Sequence, residues 1–382
     1  MKFKRLSKEL GKYIFPFSAV KYLNQSGLFL AFYMILSNPL NVAHAQNLES
    51  KIDSLLLNVF KDKNGPGGAF LVAKEGKIIY EKAYGKSNIE LESDLSPENV
   101  FQLGSITKQF TAIATLMLEE QGKLKVTDPI SKYIPDYPAG DKITIHHLLT
   151  HTSGIKDFTK MKGLREIAQK DLSPKDMVDF FKNEPVDFTP GERFEYNNSG
   201  YVVLGYIIEL VSGTTYEEYI NKNIFEKIGM SHSRYASDVA IVKKRAYGYQ
   251  KKESGYVNKT RISFTVPFSS GSLMSTVGDM LKWQNALNQN LLLEAKTLKK
   301  AFTKYKLNNG EEFTYGYGWH LKEINGIPVR EHGGSVFGFK TMGVYIPSEG
   351  IYVVGMTNCD CNSPTQVTED IAFITMKSLK KT

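Results

Sequence analysis

Hydrophobic residues along the chain follow helical spacing in some stretches and strand-like spacing in others. Apolar positions within Ile52–Phe60 recur every three or four residues, which predicts an amphipathic helix. Two short apolar runs, Ala69–Ala73 and Lys77–Tyr84, are separated by a turn and predict a β-hairpin. The spacing then becomes helical at Gln109–Glu120 and at Tyr201–Val211. The second of these is apolar on nearly every side, as in a buried helix.

Strand-like runs return towards the C-terminus, where Val336–Ile346 and Ile351–Thr357 flank a turn and a last helix follows. Strands at both ends with helices between them predict an α/β (α+β) fold, in which the two termini build one layer and a mostly helical lobe is inserted. We expect the layer at about 46–100 and 268–382 and the lobe at about 101–267. A groove where the two meet is a usual place for a ligand.

The first 45 residues have the pattern of an export signal. Six basic residues, Lys2, Lys4, Arg5, Lys8, Lys12 and Lys21, precede an apolar run at Gly27–Leu36, and Ala43 and Ala45 are the small residues that a signal peptidase reads. We predict a signal peptide over 1–45 and a catalytic domain over 46–382, exported to the periplasm or secreted. A retained membrane anchor is the alternative. The run of ten residues is short for a bilayer span, which needs about twenty.

The positive charge of the chain is concentrated in this leader. The whole sequence has 48 basic and 40 acidic residues, a formal charge of +8, but the leader holds six of the bases and one acid. The rest is left with a net charge of only +3, which gives little support to nucleic-acid binding. We therefore expect a small-molecule or peptide substrate, no nucleic-acid partner and no stable membrane span after cleavage. The sequence does not indicate an oligomeric state.

Cysteine and histidine spacing does not indicate a metal or cofactor. The two cysteines, Cys359 and Cys361, are separated by one residue, and a disulfide ring that short is usually strained. We predict free surface thiols near the end of a strand, too few for a metal site. His147 and His151 are four residues apart, but no acidic residue accompanies them, so we expect a structural role.

The first candidate for chemistry is Ser105-Ile106-Thr107-Lys108, at the predicted start of a helix. Residues three apart share a helix face, so the Lys108 amine would lie beside the Ser105 hydroxyl. A serine hydroxyl needs an adjacent base to act as a nucleophile, and a lysine with a lowered pKa can serve. A helix N-terminus also offers backbone N–H groups to a developing oxyanion. Taken alone, such a pair is more often an ordinary solvated contact.

Two further elements could complete a site. Tyr196-Asn197-Asn198 precedes the buried helix, and a phenol of lowered pKa can relay a proton while an Asn amide binds a substrate amide. His332-Gly333-Gly334-Ser335 opens a predicted strand. There the glycines Gly333 and Gly334 would allow close approach of a substrate backbone, and the Ser335 N–H would complete an oxyanion hole. Without a role in catalysis, the Tyr196 segment would be an ordinary turn and the His332 segment a strand with a glycine kink.

The order of these three elements resembles the motifs of the serine β-lactamase and penicillin-binding-protein superfamily, and most closely its class C β-lactamase-related branch of D-Ala-D-Ala carboxypeptidase-like and esterase-like serine hydrolases. The resemblance runs from about residue 48 to the C-terminal helix, and it implies an antiparallel sheet flanked by helices. Four flanking stretches also resemble that branch: Ile143–Gly154, Phe225–Met230, Ser270–Thr276 and Tyr315–Trp319.

The resemblance implies a role for each residue of the motifs. Ser105 would be acylated, with Lys108 as general base or its electrostatic helper, and Tyr196 would pass the proton to the leaving group and then activate water. Asn198 would hold the acyl-side amide of the substrate, and His332 would face a substrate carboxylate. The N–H groups of Ser105 and Ser335 would form the oxyanion hole.

The third motif departs from the branch, because β-lactamases there usually have Lys-Thr-Gly where this chain has His332-Gly-Gly. Histidine is mostly neutral at pH 7, which weakens the hold on a β-lactam carboxylate. We therefore expect an exported, cofactor-free serine hydrolase acting on a small amide or ester, most closely a D-peptidase. A carboxylesterase, a β-lactamase and a non-catalytic binding or sensor module remain as alternatives.

Overall fold

The computed structural model describes residues 39–379, with side chains from residue 47 onwards. The chain divides into two compact units, residues 1–42 and 43–382, and the account below concerns the second. Most of the predicted export signal over 1–45 therefore lies outside the described residues. Within residues 39–379, no helix combines the length and the apolar character that crossing a membrane requires.

Helices and single turns occupy the middle and both ends of the described chain. The helices are α1 Pro39–Val59, α2 Thr107–Glu120, α3 Ile145–Leu149, α4 Leu164–Ile167, α5 Pro174–Phe181, α6 Asn198–Ser212, α7 Tyr216–Ile220, α8 Phe268–Gly271, α9 Val277–Asn288, α10 Ala295–Ala301 and α11 Thr365–Leu379. Turns of 3₁₀-helix lie at Gly104–Ile106, Ile130–Lys132 and Phe158–Lys160, and a π-helical turn lies at Asn221–Phe225.

The strands are short in the middle of the chain and long near its ends. They are β1 Gly68–Lys74, β2 Lys77–Tyr84, β3 Lys86–Asn88, β4 Ser93–Asp94, β5 Phe101–Gln102, β6 Arg234–Tyr235, β7 Tyr249–Lys252, β8 Gly255–Asn258, β9 Leu273–Ser275, β10 Tyr305–Lys306, β11 Glu312–Phe313, β12 His320–Ile324, β13 Ile327–Val336, β14 Phe339–Ile346 and β15 Ile351–Thr357.

One six-stranded sheet joins strands from the two ends of the sequence, in the order β12-β13-β14-β15-β1-β2. Every neighbouring pair is antiparallel, and β1 pairs with β15 so that Val72 lies opposite Val353. This confirms the predicted antiparallel sheet flanked by helices. The lobe boundaries near residues 100 and 268 stay a prediction.

Apolar residues cover both faces of this sheet. On one face Ile52 and Leu56 of α1 and Ile371 of α11 pack with β-strand residues such as Val344 and Val353. A larger cluster, which includes most of α2 and α6, packs against the other face. Strands that alternate between two apolar layers are buried on both sides, which explains the nearly continuous apolar runs in the sequence. The second layer fixes α2, and with it the predicted Ser105 and Lys108, against the sheet.

The prediction of free thiols is wrong, because Cys359 and Cys361 form a disulfide. The chain turns immediately after β15, and this turn brings the two Cα atoms to 5.1 Å, a separation usual for disulfides. The backbone N–H of Cys361 donates to Cys359 Sγ at 3.2 Å, and Cys359 is fully buried. The bond closes a loop whose one intervening residue is Asp360.

Candidate active site

The candidate nucleophile Ser105 lies in the 3₁₀ turn Gly104–Ile106, which leads directly into α2. Gly104 has φ +54°, and a Cβ placed on it would lie 2.7 Å from the backbone nitrogen of Ser335. A side chain there would therefore clash with β13 as well as strain the backbone. Glycine at this position allows the turn to dock on the strand, with the Ser335 amide next to the residue that precedes Ser105.

Lys108, one helical turn further along, is fully buried in the described structure. Its amine contacts Ser105 Oγ at 3.3 Å, Asn198 Oδ1 at 2.9 Å and the Ser270 carbonyl oxygen at 2.9 Å. Burial lowers the pKa of Lys108 to about 7, and the negative charge of Asp157 opposes part of that shift. A neutral amine has two N–H groups and one lone pair. It can donate to Asn198 and Ser270 and keep its lone pair for the Ser105 hydroxyl.

Tyr196 lies over the same amine, with Lys108 Nζ 4.9 Å from the centre of its ring. Its hydroxyl is buried and makes no hydrogen bond of good geometry with the residues of the described chain. Burial raises the pKa of Tyr196, and the nearby Ser105 hydroxyl offsets only part of the rise. The sequence argument assumed a lowered phenol pKa, and that assumption is wrong in the absence of substrate. The phenol is protonated at neutral pH and can donate.

Asn198 is the first residue of α6, where Asn197 caps the helix by accepting from the Gly200 N–H. The buried carboxylate of Asp157 accepts from the backbone N–H of Asn198 at 3.0 Å and from its Nδ2 at 3.1 Å. These two bonds fix the amide so that its oxygen faces Lys108. One N–H of the amide is left over for another acceptor. The sequence analysis did not identify Asp157 or Ser270.

The glycines of the third motif bring β13 against the chain that precedes Ser105. A Cβ on Gly334 would lie 1.9 Å from the Leu103 carbonyl oxygen, so the two backbones are in close contact. The motif lies in the second half of β13 and does not open the strand as predicted. β12 pairs with β13 only up to Glu331, so the following residues have no partner strand on that edge. Their edge borders the Ser105 turn.

His332 differs most from its predicted role. It is 2% exposed, and both ring nitrogens are occupied, Nε2 by the Tyr315 hydroxyl at 3.0 Å and Nδ1 by the Gly333 carbonyl oxygen at 2.6 Å. Since a carbonyl only accepts, Nδ1 carries the proton and Nε2 accepts from Tyr315. Burial holds the pKa of His332 well below its usual value. The ring is neutral, buried and hydrogen-bonded at both nitrogens, which does not suit the binding of a carboxylate.

A cavity of about 640 Å³ lies over these groups. Of the predicted residues, Ser105, Tyr196, Asn198 and Ser335 line it, whereas Lys108 lies behind them and His332, Gly333 and Gly334 are not in its wall. Much of the wall is apolar, and includes Phe158, Leu164, Ile262 and Phe337. The described residues contain no group of three His, Cys, Asp or Glu side chains arranged to hold a metal ion.

Known proteins resemble both the sequence and the fold. Residues 52–372 match the family model described as Beta-lactamase. Penicillin-binding protein 4* of Bacillus subtilis (strain 168) is 30% identical over 306 residues, which are 75% of this chain and 67% of that protein. The putative penicillin-binding protein PbpX of the same organism is 32% identical over 257 residues, 67% of this chain and 62% of that protein.

Solved structures give the same picture. The octameric penicillin-binding protein homologue from Pyrococcus abyssi has a TM-score of 0.77 at 30% identity, covering 86% of this chain and 77% of that chain. The D-amino acid amidase from Ochrobactrum anthropi SV3 has a TM-score of 0.75 at 23% identity, covering 88% and 99%, and so shares the fold. The chain therefore belongs to the Beta-lactamase family, within the superfamily of serine hydrolases that includes the β-lactamases and penicillin-binding proteins.

Proposed function

We propose that this protein hydrolyses a small amide or ester through an acyl-enzyme on Ser105, as a peptide hydrolase of the penicillin-binding-protein and D-peptidase type. The observation that carries the proposal is the contact between Ser105 Oγ and a buried Lys108 amine whose pKa is about 7. An amine that is largely neutral near physiological pH can accept the serine proton. An exposed lysine, titrating near 10.4, could do so only rarely.

In acylation, Lys108 takes the proton of Ser105 while Oγ forms a bond to the substrate carbonyl carbon. The N–H groups of Ser105 and Ser335 stabilise the negative oxygen that results. The protonated phenol of Tyr196 donates to the leaving nitrogen or oxygen as the bond to the carbonyl carbon breaks. The ammonium of Lys108, under the same ring, returns a proton to Tyr196, so the catalyst regains its starting charge.

In deacylation, a water molecule attacks the acyl carbon and gives its proton to the same Lys108–Tyr196 pair. The bond to Ser105 Oγ breaks, and the oxygen recovers its proton from that pair. Asn198 holds the acyl side of the substrate with the amide N–H that Asp157 does not use. Asp157 acts as a positioning residue, because it touches Asn198 and sets the direction of that N–H.

A carboxylesterase is the second candidate, and the apolar wall of the groove favours it. Phe158, Leu164, Ile262 and Phe337 offer a surface suited to a short acyl chain or an aromatic leaving group. The neutral, hydrogen-bonded His332 also removes the cation that a β-lactam carboxylate would meet at this motif. These observations make a β-lactamase the weaker alternative. The export of the protein rests on the leader sequence alone and remains part of the proposal.

Intact-mass spectrometry tests the proposal directly. The protein is incubated with nitrophenyl acetate, a D-Ala-D-Ala peptide and nitrocefin, and adducts are compared with turnover. We expect an acyl adduct and turnover with the ester or the peptide, and neither in Ser105→Ala. Ser335→Ala is the matched control, because it removes a hydroxyl from the same groove but keeps the backbone N–H. Full turnover by Ser105→Ala would refute Ser105 as the nucleophile, whereas neither adduct nor turnover of the wild type with any of the three compounds would favour the non-catalytic module.

A further inference from the structure

The wall of the groove contains two charged side chains. Among the described residues that line the cavity, Lys340 and Asp360 carry charged side chains, and the remainder are apolar or neutral. Lys340 lies on β14 directly opposite Ser335 of β13 in the strand ladder. Residues facing each other across antiparallel strands have Cα atoms about 4.5–5.5 Å apart. A group bound by Lys340 would therefore lie close to the oxyanion position that Ser335 is proposed to form.

The backbone of Lys340 is held in the sheet, whereas its amine makes no ion pair with any side chain in the part of the chain that the structure describes. The Thr357 hydroxyl donates to the Lys340 carbonyl oxygen at 3.2 Å, and the residue pairs with both neighbouring strands. No carboxylate of residues 47–379 forms an ion pair with its amine. An ammonium on a rigid strand beside an apolar groove wall attracts an anionic group, because no carboxylate of the described residues pairs with it directly.

Asp360 restricts which anion fits. Its carboxylate accepts from Gln250 Nε2 at 2.8 Å, and its backbone N–H donates to the Tyr249 carbonyl oxygen at 3.2 Å. The flanking disulfide also limits its movement. Lys340 and Asp360 together add no net charge to the groove. A phosphate dianion would meet one cation and one nearby anion, whereas a single carboxylate can pair with Lys340 at a distance from Asp360.

We infer that Lys340 determines specificity at the proposed active site by binding a carboxylate of the substrate, and that Asp360 disfavours a second negative charge. This inference rests on the proposed hydrolase function and identifies its substrate class as singly anionic amides or esters. It also moves the recognition of a carboxylate from the buried His332 to the neighbouring strand. The carboxylate bound by Lys340 is not part of the scissile amide or ester group, so Lys340 affects the choice of substrate and takes no part in the proton transfers.

The test uses two pairs of esters that differ in one carboxylate. In the first pair, 3-carboxyphenyl acetate and 3-carbamoylphenyl acetate, the charge is on the leaving group. In the second, the p-nitrophenyl monoester of glutaric acid and p-nitrophenyl butyrate, it is on the acyl group. For one pair, we expect Lys340→Met to lower kcat/KM of the carboxylate ester roughly 10- to 100-fold, as for loss of a hydrogen bond to a charged group. The neutral partner should change less than about twofold, and the pair that responds identifies the side of the scissile bond.

Three further variants make the result specific. Lys340→Arg keeps the cation and should recover most of the selectivity. Lys306→Met removes an exposed strand lysine outside the groove wall and should match the wild type. Asp360→Asn should improve a dicarboxylate ester relative to the monocarboxylate. Equal effects of Lys340→Met on charged and neutral esters in both pairs would overturn the inference and leave the hydrolase intact. Absence of turnover on all four esters and on the D-Ala-D-Ala peptide would overturn both proposals.

Discussion

The two sides of the groove are built in different ways. On the helical side, Lys108 and Asp157 are buried, and both are hydrogen-bonded to Asn198, which lines the cavity. On the strand side, Ser335, Lys340 and Asp360 present an amide and two charges to the open cavity. A buried network fixes protonation states and directions before substrate arrives, whereas the charged side chains at the groove wall discriminate among substrates. Reaction and selection are thus expected to respond to different substitutions.

Removal of the buried amine should give the largest effect. Lys108→Met keeps the length and apolar stem of the side chain but cannot accept a proton, so acylation should slow roughly 10²- to 10⁴-fold. Stopped-flow or mass-spectrometric acylation rates with nitrophenyl acetate measure it, and circular dichroism checks the fold. Lys123→Met, an exposed lysine just after α2, is the control. Acylation at the wild-type rate in Lys108→Met would leave Tyr196 as the base.

The pH dependence of acylation should follow the same amine. Since the pKa of Lys108 is about 7, the acylation rate should rise with pH, by about tenfold per pH unit on the acid side, and level off above pH 7.

The lowered pKa of Lys108 also determines how the stability of the fold changes with pH. Between about 7 and 10.4 the unfolded chain binds one proton more at this residue, so the free energy of unfolding gains a contribution that rises with pH.

The contribution of Lys108 to the free energy of unfolding can be measured by comparing the wild type with a variant that lacks the amine. Urea unfolding of the wild type and of Lys108→Met at several pH values should show the wild type gaining stability relative to the variant as pH rises through this window. A constant difference between pH 7 and 10 would contradict the lowered pKa and leave the amine an ordinary charged group.

Asp157→Asn should give a smaller loss, because it changes a positioning residue. The variant keeps the shape of the side chain but weakens its hold on Asn198, and we expect kcat/KM to fall roughly tenfold. The negative charge of Asp157 raises the pKa of Lys108, so its removal should move the pH inflection to lower values. Asp187→Asn, which loses a partly exposed ion pair with Lys156, serves as control. An unmoved inflection would mean that Asp157 has only a structural role.

The sequence predicted those parts of the site that depend on short spacing. Ser105 and Lys108 are three residues apart, so the helix alone brings them together. Asp157 and Ser270 were missed because their partners are distant in sequence, 41 residues for Asp157 to Asn198 and 162 for Ser270 to Lys108. Asp157 lies in no pattern that marks it as functional, and Ser270 only begins a stretch that resembles the family. Tertiary packing brings Ser270 to the Lys108 amine and Asp157 to Asn198.

Burial in the folded protein, which the sequence does not show directly, explains the wrong prediction for His332 and the success with the long strands. The sequence shows that His332 precedes two glycines, but it does not show that the ring is buried in the sheet and bonded to Tyr315, which argues against the predicted contact with a substrate carboxylate. Apolar runs predicted the long strands well because nearly every residue of β1 and β15 is buried. The small strands of the middle region have no such runs, and so the sequence analysis did not detect them.

His332→Asn should lower the stability of the fold without changing the selectivity for carboxylate esters. It removes a ring whose two nitrogens satisfy Tyr315 and Gly333, so we expect a loss of roughly 1–3 kcal/mol in the free energy of unfolding. The ratio of kcat/KM values for a carboxylate ester and its neutral partner should stay at the wild-type value. Urea unfolding and the ester pairs measure the two effects. A collapsed ratio in a stable variant would return carboxylate binding to His332.

The smallest effect is expected from the disulfide on the strand side. Its loop holds only Asp360 between the two cysteines, and closing so short a loop restricts the unfolded chain little, about 1–2 kcal/mol. Cys359→Ala with Cys361→Ala should therefore lower the melting temperature by a few degrees and leave acylation of neutral esters unchanged. Because Asp360 gains freedom, discrimination against a dicarboxylate ester should weaken. Unchanged discrimination would show that Gln250 and the Tyr249 backbone suffice to hold Asp360, whereas slower acylation of neutral esters would show that the two sides of the groove are coupled.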